Sequence, residues 1–118
     1  MKADNIVQIK SYNFALDIIK LSVELKSFSQ FELASQVIRS GTSIGANIEE
    51  ALGAQSRKDF YSKLTISYKE ARETHYWLRL LRDSKIGDHK FLEELINKCD
   101  ELLKIIGSIQ KSLREKGV

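Results

Sequence analysis

Histidine and cysteine, frequent metal ligands and nucleophiles, occur only three times in the sequence, as His75, His89 and Cys99. A di-iron centre in a helical bundle needs paired Glu-x-x-His motifs. Arg72 and Ile86 stand three positions before the two histidines, so neither completes that motif. The single cysteine excludes an intrachain disulfide and a multi-cysteine zinc site. We therefore predict no catalytic residue, no metal, no cofactor and no small-molecule substrate, and the protein is predicted not to be an enzyme.

A row of basic residues offers binding chemistry instead. At 100° per residue, one side of a helix carries Lys58, Lys69, Arg72, Tyr76 and Arg79, which we call the basic row. Lys and Arg side chains can follow a phosphate backbone while an aromatic ring stacks on a base. An ordinary solvated helix face is the alternative interpretation. The row is a candidate nucleic-acid-binding site.

A segment before this row carries small polar residues where a solvated helix normally carries Lys or Glu. Gly41 and Gly45 also lie there, and each costs about 1 kcal/mol relative to alanine within a helix. They do not form a phosphate-binding loop, because no Gly-Lys-Ser/Thr follows them. Close approach of another helix, in a second subunit or within the bundle, explains such residues. The predicted oligomer interface consists of Arg39, Ser40, Ser43, Asn47, Glu50 and Trp77.

The size and composition of the chain indicate which kind of secondary structure carries these residues. A chain of 118 residues and 13.5 kDa fits one domain, predicted over residues 1–118. It has no proline and 6 glycines, so long helices with few turns are expected. The net charge of +3 is mildly basic. Neither a membrane span nor a signal peptide is evident, so we expect a cytoplasmic protein without membrane contact.

Four helices are predicted, at residues 5–26, 30–53, 56–83 and 88–116. Start signals are a capping box from Ser29 to Glu32, a similar pattern from Ser56 to Asp59, and Asp88 as an N-cap. Short connections make neighbours antiparallel, which gives an all-α, up-down-up-down four-helix bundle. A coiled-coil homodimer of two helical hairpins is the alternative architecture.

Apolar residues at alternating steps of three and four predict the face that each helix turns to the core. For the first helix the expected core residues are Ile9, Tyr12, Leu16, Ile19 and Val23. For the second they are Phe31, Ala34, Ile38, Gly41, Gly45, Ile48 and Leu52. For the third they are Phe60, Leu64, Ser67, Ala71, Thr74, Leu78 and Leu81. For the fourth they are Leu95, Cys99, Leu102, Ile106, Ile109 and Leu113.

Two blocks of sequence resemble a known bacterial family. The first runs from Val37 to Ala51 and the second from Ser56 to Leu78, and the likeness extends over residues 10–113. The family is that of four-helix-bundle proteins related to those encoded in intervening sequences of large-subunit ribosomal RNA genes. The resemblance implies an antiparallel bundle and assembly into rings of five subunits. One related branch, the accessory variability determinants of diversity-generating retroelements, binds nucleic acid and a reverse transcriptase.

Most members of that family have no established biochemical function, and a shared fold does not define an activity. Two hypotheses follow from the residues and the resemblance together. The first is a non-enzymatic, self-assembling bundle that associates with RNA or a ribonucleoprotein. The second is a structural or protein-interaction scaffold with no nucleic-acid role.

Overall fold

The computed structural model describes the backbone of residues 2–118 and the side chains of residues 6–118. Four helices account for most of this chain: α1 (Lys2–Ser27), α2 (Phe31–Leu52), α3 (Arg57–Asp83) and α4 (His89–Glu115). Met1, which the predicted domain includes, lies outside the described residues. The predicted helix boundaries agree with these to within three residues.

Contacts between neighbouring helices establish the topology. Gln8 contacts Glu49 and Ser11 lies against Gly45, so α2 runs antiparallel to α1. Each later pair is also antiparallel, as shown by the contacts Glu50–Lys63, Thr74–Ser40, Thr65–Gln110, Arg82–Glu93, Lys10–Glu101 and Asp17–Lys98. Each helix packs against two neighbours, and the backbones of diagonally opposite helices stay further apart within the described chain. The protein is therefore an up-down-up-down four-helix bundle built from one chain, which excludes the two-hairpin dimer.

The predicted core faces of α3 and α4 are confirmed. In α3, every residue from Leu64 to Leu81 that the pattern selected is buried, and Phe60 is half-buried. In α4 the same holds from Leu95 to Ile109, with Leu113 half-buried. In α2 the core consists of Ala34, Val37, Ser40, Gly41, Ile44, Ile48 and Ala51. The prediction for α2 is therefore right in part, and wrong for Phe31 and Leu52, which are exposed.

The predicted core face of α1 is wrong. The helix buries Val7, Ser11, Phe14, Ile18, Leu21, Ser22 and Leu25. The apolar residues chosen from the sequence, Ile9, Tyr12, Leu16, Ile19 and Val23, are instead 44–64% exposed. We call these five residues the α1 stripe. Both sets recur at steps of three and four, so the period alone cannot tell which one faces the core.

Local signals at the helix starts are confirmed in two of three places. Ser56 Oγ accepts a hydrogen bond from the Asp59 backbone N–H at 3.0 Å, and the Asp88 carboxylate accepts one from the Phe91 N–H at 3.3 Å. These bonds satisfy N–H groups that a helix start leaves without a partner. The predicted capping box at Ser29 is wrong, because α2 begins after Gln30 with no side-chain cap. Ser29 instead adopts a φ of 60° within the turn.

Two glycines of α2 permit close packing inside the bundle. A Cβ atom at Gly41 would lie 2.7 Å from Ile18 Cγ1 of α1. A Cβ atom at Gly45 would lie 3.3 Å from the Ser11 carbonyl oxygen. The sequence left open whether these glycines admit a helix of a second subunit or a helix of the same bundle. The structure supports the same bundle, because the helix that approaches them is α1.

Candidate nucleic-acid interface and self-association surfaces

The basic row lies along the outer side of α3. Lys58, Lys69, Arg72, Tyr76 and Arg79 are all exposed. From the first to the last of these residues the row is about 32 Å long at 1.5 Å per residue. None of the four cationic side chains forms an ion pair with a carboxylate among the described side chains. The row therefore presents four cations that no acidic neighbour neutralises through a direct contact.

Three acidic residues of α3 form ion pairs with arginine side chains that do not belong to the basic row. Arg39 of α2 pairs with Glu70 at 3.4 Å and also with Glu73. Arg82 contacts Asp83 at 2.9 Å and Glu93 of α4 at 3.4 Å. The hydrogen bond from Arg82 lowers the pKa of the exposed Asp83 carboxyl below its ordinary value. Glu70 and Glu73 are therefore held on the α2 side of α3, whereas the exposed Asp83 lies one helical turn after Arg79, at the end of the basic row.

An aromatic pair lies beside the row. The rings of Tyr76 and Trp77 have centroids 5.3 Å apart and meet edge to face at 64°. The Trp77 indole also donates to the Glu73 carboxylate at 3.0 Å, which fixes the ring on the α2 side of α3. Tyr76 is 49% exposed. A ring held by a neighbour and open to solvent is suited to stacking on a planar partner.

The residues of the predicted oligomer interface differ in how deeply the structure buries them. Ser40 was expected on an outer face and is fully buried, where its Oγ accepts a hydrogen bond from Thr74 Oγ1 at 3.0 Å. That expectation is wrong, because Ser40 lies in the contact between α2 and α3. Ser43 and Asn47 are half-buried and bond to the backbone one turn earlier in α2.

The remaining three residues of that interface stay at the surface. Glu50 is exposed and pairs with Lys63 at 3.1 Å, and Arg39 is exposed beside Glu70 and Glu73. Trp77 is half-buried. Five of the six predicted interface residues therefore border the outer face formed by α2 and α3.

The aromatic residues on the opposite flank of α3 bind α4 of the same chain. The Tyr61 hydroxyl accepts a hydrogen bond from Arg114 at 3.0 Å, and Tyr68 packs against Gly107. His75 Nε2 lies 2.8 Å from Asp100 Oδ1. This flank is therefore a contact within the subunit.

Sequence reasoning missed the α1 stripe as a surface. A shallow groove of about 210 Å³ lies next to the stripe, between α1 and α2. Its lining consists of Ser11, Tyr12, Ala15, Thr42, Gly45, Ala46 and Glu49. The available signal was the second apolar set in α1, from Val7 to Leu25, with the same spacing as the first. Two apolar sets on one helix indicate that the helix has two partners.

The structure also locates the potential metal ligands and the single thiol in the described part of the chain. No cluster of three or more histidine, cysteine, aspartate or glutamate side chains is placed to hold a metal ion there. Burial, followed by the charge of Asp100, raises the pKa of the Cys99 thiol to about 12, so it stays protonated at neutral pH. None of the described helices has an apolar stretch that would cross a bilayer.

Comparisons with known proteins agree with this architecture. The family model described as 23S rRNA-intervening sequence protein matches residues 3–108. A solved structure from Bacteroides thetaiotaomicron, a protein of unknown function from the S23 ribosomal protein family, is 45% identical with a TM-score of 0.89. That alignment covers 92% of this chain and 98% of the other. No curated protein shows a significant match to the chain.

Proposed function

The chain belongs to the family of 23S rRNA-intervening sequence proteins, and from this premise we propose that it is a non-enzymatic, self-assembling bundle that binds RNA along α3. The solved relative from this family is itself a protein of unknown function. The observation that carries the proposal is the basic row, with four exposed cations free of ion pairs among the described side chains. The reference to ribosomal RNA in the family description also supports it.

Electrostatic contact with phosphates is the chemistry that the row offers. Its four cations can each contact a phosphate and its one exposed ring can stack on any base, so we expect binding that tolerates many sequences. One subunit makes few contacts, and a single row binds weakly at physiological salt. An assembly repeats the row, and linked rows raise the effective concentration for a long strand. Self-assembly and RNA binding therefore support one another.

Fluorescence anisotropy with a labelled single-stranded RNA tests the proposal. We expect binding at 50 mM salt and a loss of at least about 50-fold in affinity at 200 mM, the value for the four phosphate contacts of one row. The double variant Lys69→Glu/Arg72→Glu should lose at least tenfold in affinity at 50 mM salt, because it reverses two charges at the centre of the row.

The matched control reverses two exposed charges on α4, in the variant Lys104→Glu/Lys111→Glu. It changes the net charge by the same amount and should retain affinity within about threefold, since screening weakens distant charges. Wild-type protein that binds no RNA at 50 mM salt would refute an RNA role. Equal losses in both variants would move the binding site away from α3.

A scaffold without a nucleic-acid role is the second candidate function. The observation in its favour is the α1 stripe, an exposed apolar surface whose five residues include no cation, which favours a protein partner over RNA. In this case RNA would not bind, while the protein would still assemble. The two functions are therefore separated by the same anisotropy measurement.

A further inference from the structure

Arg72, Tyr76 and Arg79 lie next to one another on the outer side of α3. The two arginines stand four positions before and three positions after the tyrosine, a spacing that places all three side chains on neighbouring turns of one helix face. All three side chains are exposed. The arginine positions are about 10 Å apart along the helix at 1.5 Å per residue. An exposed aromatic ring therefore lies between two cations.

The two arginines differ in how far their side chains are held. Arg79 Nε donates a hydrogen bond to the His75 backbone carbonyl at 3.3 Å, which holds this side chain back toward the turn that carries Tyr76. Arg72 forms no ion pair among the described side chains, so its guanidinium is available to a phosphate. Asp83 follows Arg79 by one turn, and its carboxylate repels phosphate, so the cationic segment ends there.

A chain of contacts that begins on α2 restrains the Tyr76 ring. Arg39 pairs with the Glu73 carboxylate, and Oε2 of that carboxylate accepts the indole N–H of Trp77 at 3.0 Å. The half-buried Trp77 ring in turn meets the Tyr76 ring edge to face, with the centroids 5.3 Å apart. A ring that is already oriented loses less entropy when a ligand stacks on it. Trp77 therefore prepares Tyr76 for stacking while leaving it open to solvent.

A ring placed in this way distinguishes unpaired from paired RNA. In a duplex, neighbouring base pairs cover both faces of each base, and the phosphate backbone lies outside. A ring fixed on the outer side of a helix has no access to the covered faces, whereas the cations of the basic row contact phosphates in either form. Tyr76 is thus the residue of the row that responds to an unpaired base.

From this geometry we infer that Arg72, Tyr76 and Arg79 form a subsite for one unpaired nucleotide of single-stranded RNA. The base stacks on the Tyr76 ring, and the arginines contact the phosphates on its two sides. Trp77 is a positioning residue, because it acts through the Tyr76 ring. The inference rests on the proposed RNA binding along α3, and it specifies the class of RNA and the residue that selects it.

Two probes of equal length separate stacking from phosphate contact, namely a single-stranded oligouridylate and the same ribose-phosphate strand without bases. Wild-type protein at 50 mM salt should bind the oligouridylate at least about fivefold more tightly, the lower end for one stacked base. Trp77 is the only tryptophan of the chain, so its fluorescence monitors the subsite without a label. The oligouridylate should quench this fluorescence, whereas the abasic strand and an RNA duplex should leave it unchanged.

Four variants assign the preference to these residues. Tyr76→Leu should bind both strands equally and keep the wild-type affinity for the abasic strand, whereas Tyr76→Phe keeps the ring and should keep the preference. Trp77→Leu should lower the preference by at least about twofold, the lower end for an edge-to-face pair. Trp77→Phe should restore most of it. A loss of assembly would weaken the binding of both strands alike, so the ratio of the two affinities does not depend on it.

The matched control is Tyr12→Leu, the same substitution at an exposed tyrosine of α1, which should keep the wild-type preference. Equal binding of the two strands by wild-type protein, or a full preference in Tyr76→Leu, would overturn the subsite and leave RNA binding along α3 standing. A full preference in Trp77→Leu would overturn the positioning role of Trp77. Absence of binding to either strand at 50 mM salt would overturn the proposed function together with the subsite.

Discussion

The outer sides of α1 and α4 differ sharply although the two helices are neighbours in one bundle. The outer side of α4 is polar along its length, with Lys90, Asn97, Glu101, Lys104, Ser108 and Lys111 exposed. The outer side of α1 carries the apolar α1 stripe. The charged residues of α1 are concentrated on the edge next to α4, where Lys10 pairs with Glu101 and Asp17 with Lys98.

The polar outer side of α4 is typical of a surface in contact with water, and the apolar outer side of α1 is typical of a surface that a partner covers. Water favours charged and polar side chains on an exposed helix, as on α4. On α1, apolar residues predominate on both the inner and the outer side. We therefore expect that α4 contacts solvent in the assembly and that α1 contacts protein on both sides.

The largest expected effect is unfolding of the subunit by a charge on the inner side of α1, where the same charge on the outer side should be tolerated. Ile18→Asp and Leu102→Asp each place a charge at a position that is at most 1% exposed, so each should unfold the subunit, at a cost of several kcal/mol. Leu16→Asp places the same charge on the α1 stripe and should leave the helix content unchanged. Circular dichroism at 25 °C measures this. Equal loss of helix in Leu16→Asp and Ile18→Asp would show that the α1 stripe faces the core.

A smaller effect is expected from substitution of two helical glycines, Gly41 of α2, which packs against α1, and Gly107 of α4. Gly41→Ala should destabilise the subunit by about 1–3 kcal/mol, because its Cβ atom meets the buried Ile18 side chain at 2.7 Å. Gly107→Ala should stabilise it by up to about 1 kcal/mol. Its Cβ atom lies 3.6 Å from Tyr68 Cε2, an ordinary contact. Urea denaturation measures both, and a stabilising Gly41→Ala would show that α1 and α2 are not tightly packed there.

The sequence predicts most of the fold because three of its signals are unambiguous. Proline is absent, Ser56 and Asp88 have the spacing of caps, and in α3 and α4 a single apolar set has the regular spacing of a core face. The prediction fails in α1, where two apolar sets have the same period. The spacing of apolar residues shows that each set lies on one face of the helix. It does not show which of the two faces packs against the other helices of the chain.

The candidate sites were predicted unevenly for a related reason. The basic row depends only on positions within one helix, and all its residues are exposed as expected. Ser40 was misplaced because its burial depends on Thr74, 34 positions later in the chain. The pairing of Arg39 with Glu70 and Glu73, which holds both carboxylates on the α2 side of α3, likewise joins two helices. Contacts of this kind follow from packing and cannot be obtained from the pattern of one segment.

The mass of the protein in solution tests most directly whether a second copy covers α1. Light scattering on wild-type protein at micromolar concentration should give a multiple of 13.5 kDa, the mass of one chain. Leu16→Arg should give about that single mass with unchanged helix content, since a charge within an apolar contact opposes assembly. The matched variant Ser108→Arg on α4 should retain the wild-type mass. A wild-type mass of one chain, or a Leu16→Arg assembly as large as that of Ser108→Arg, would contradict the account.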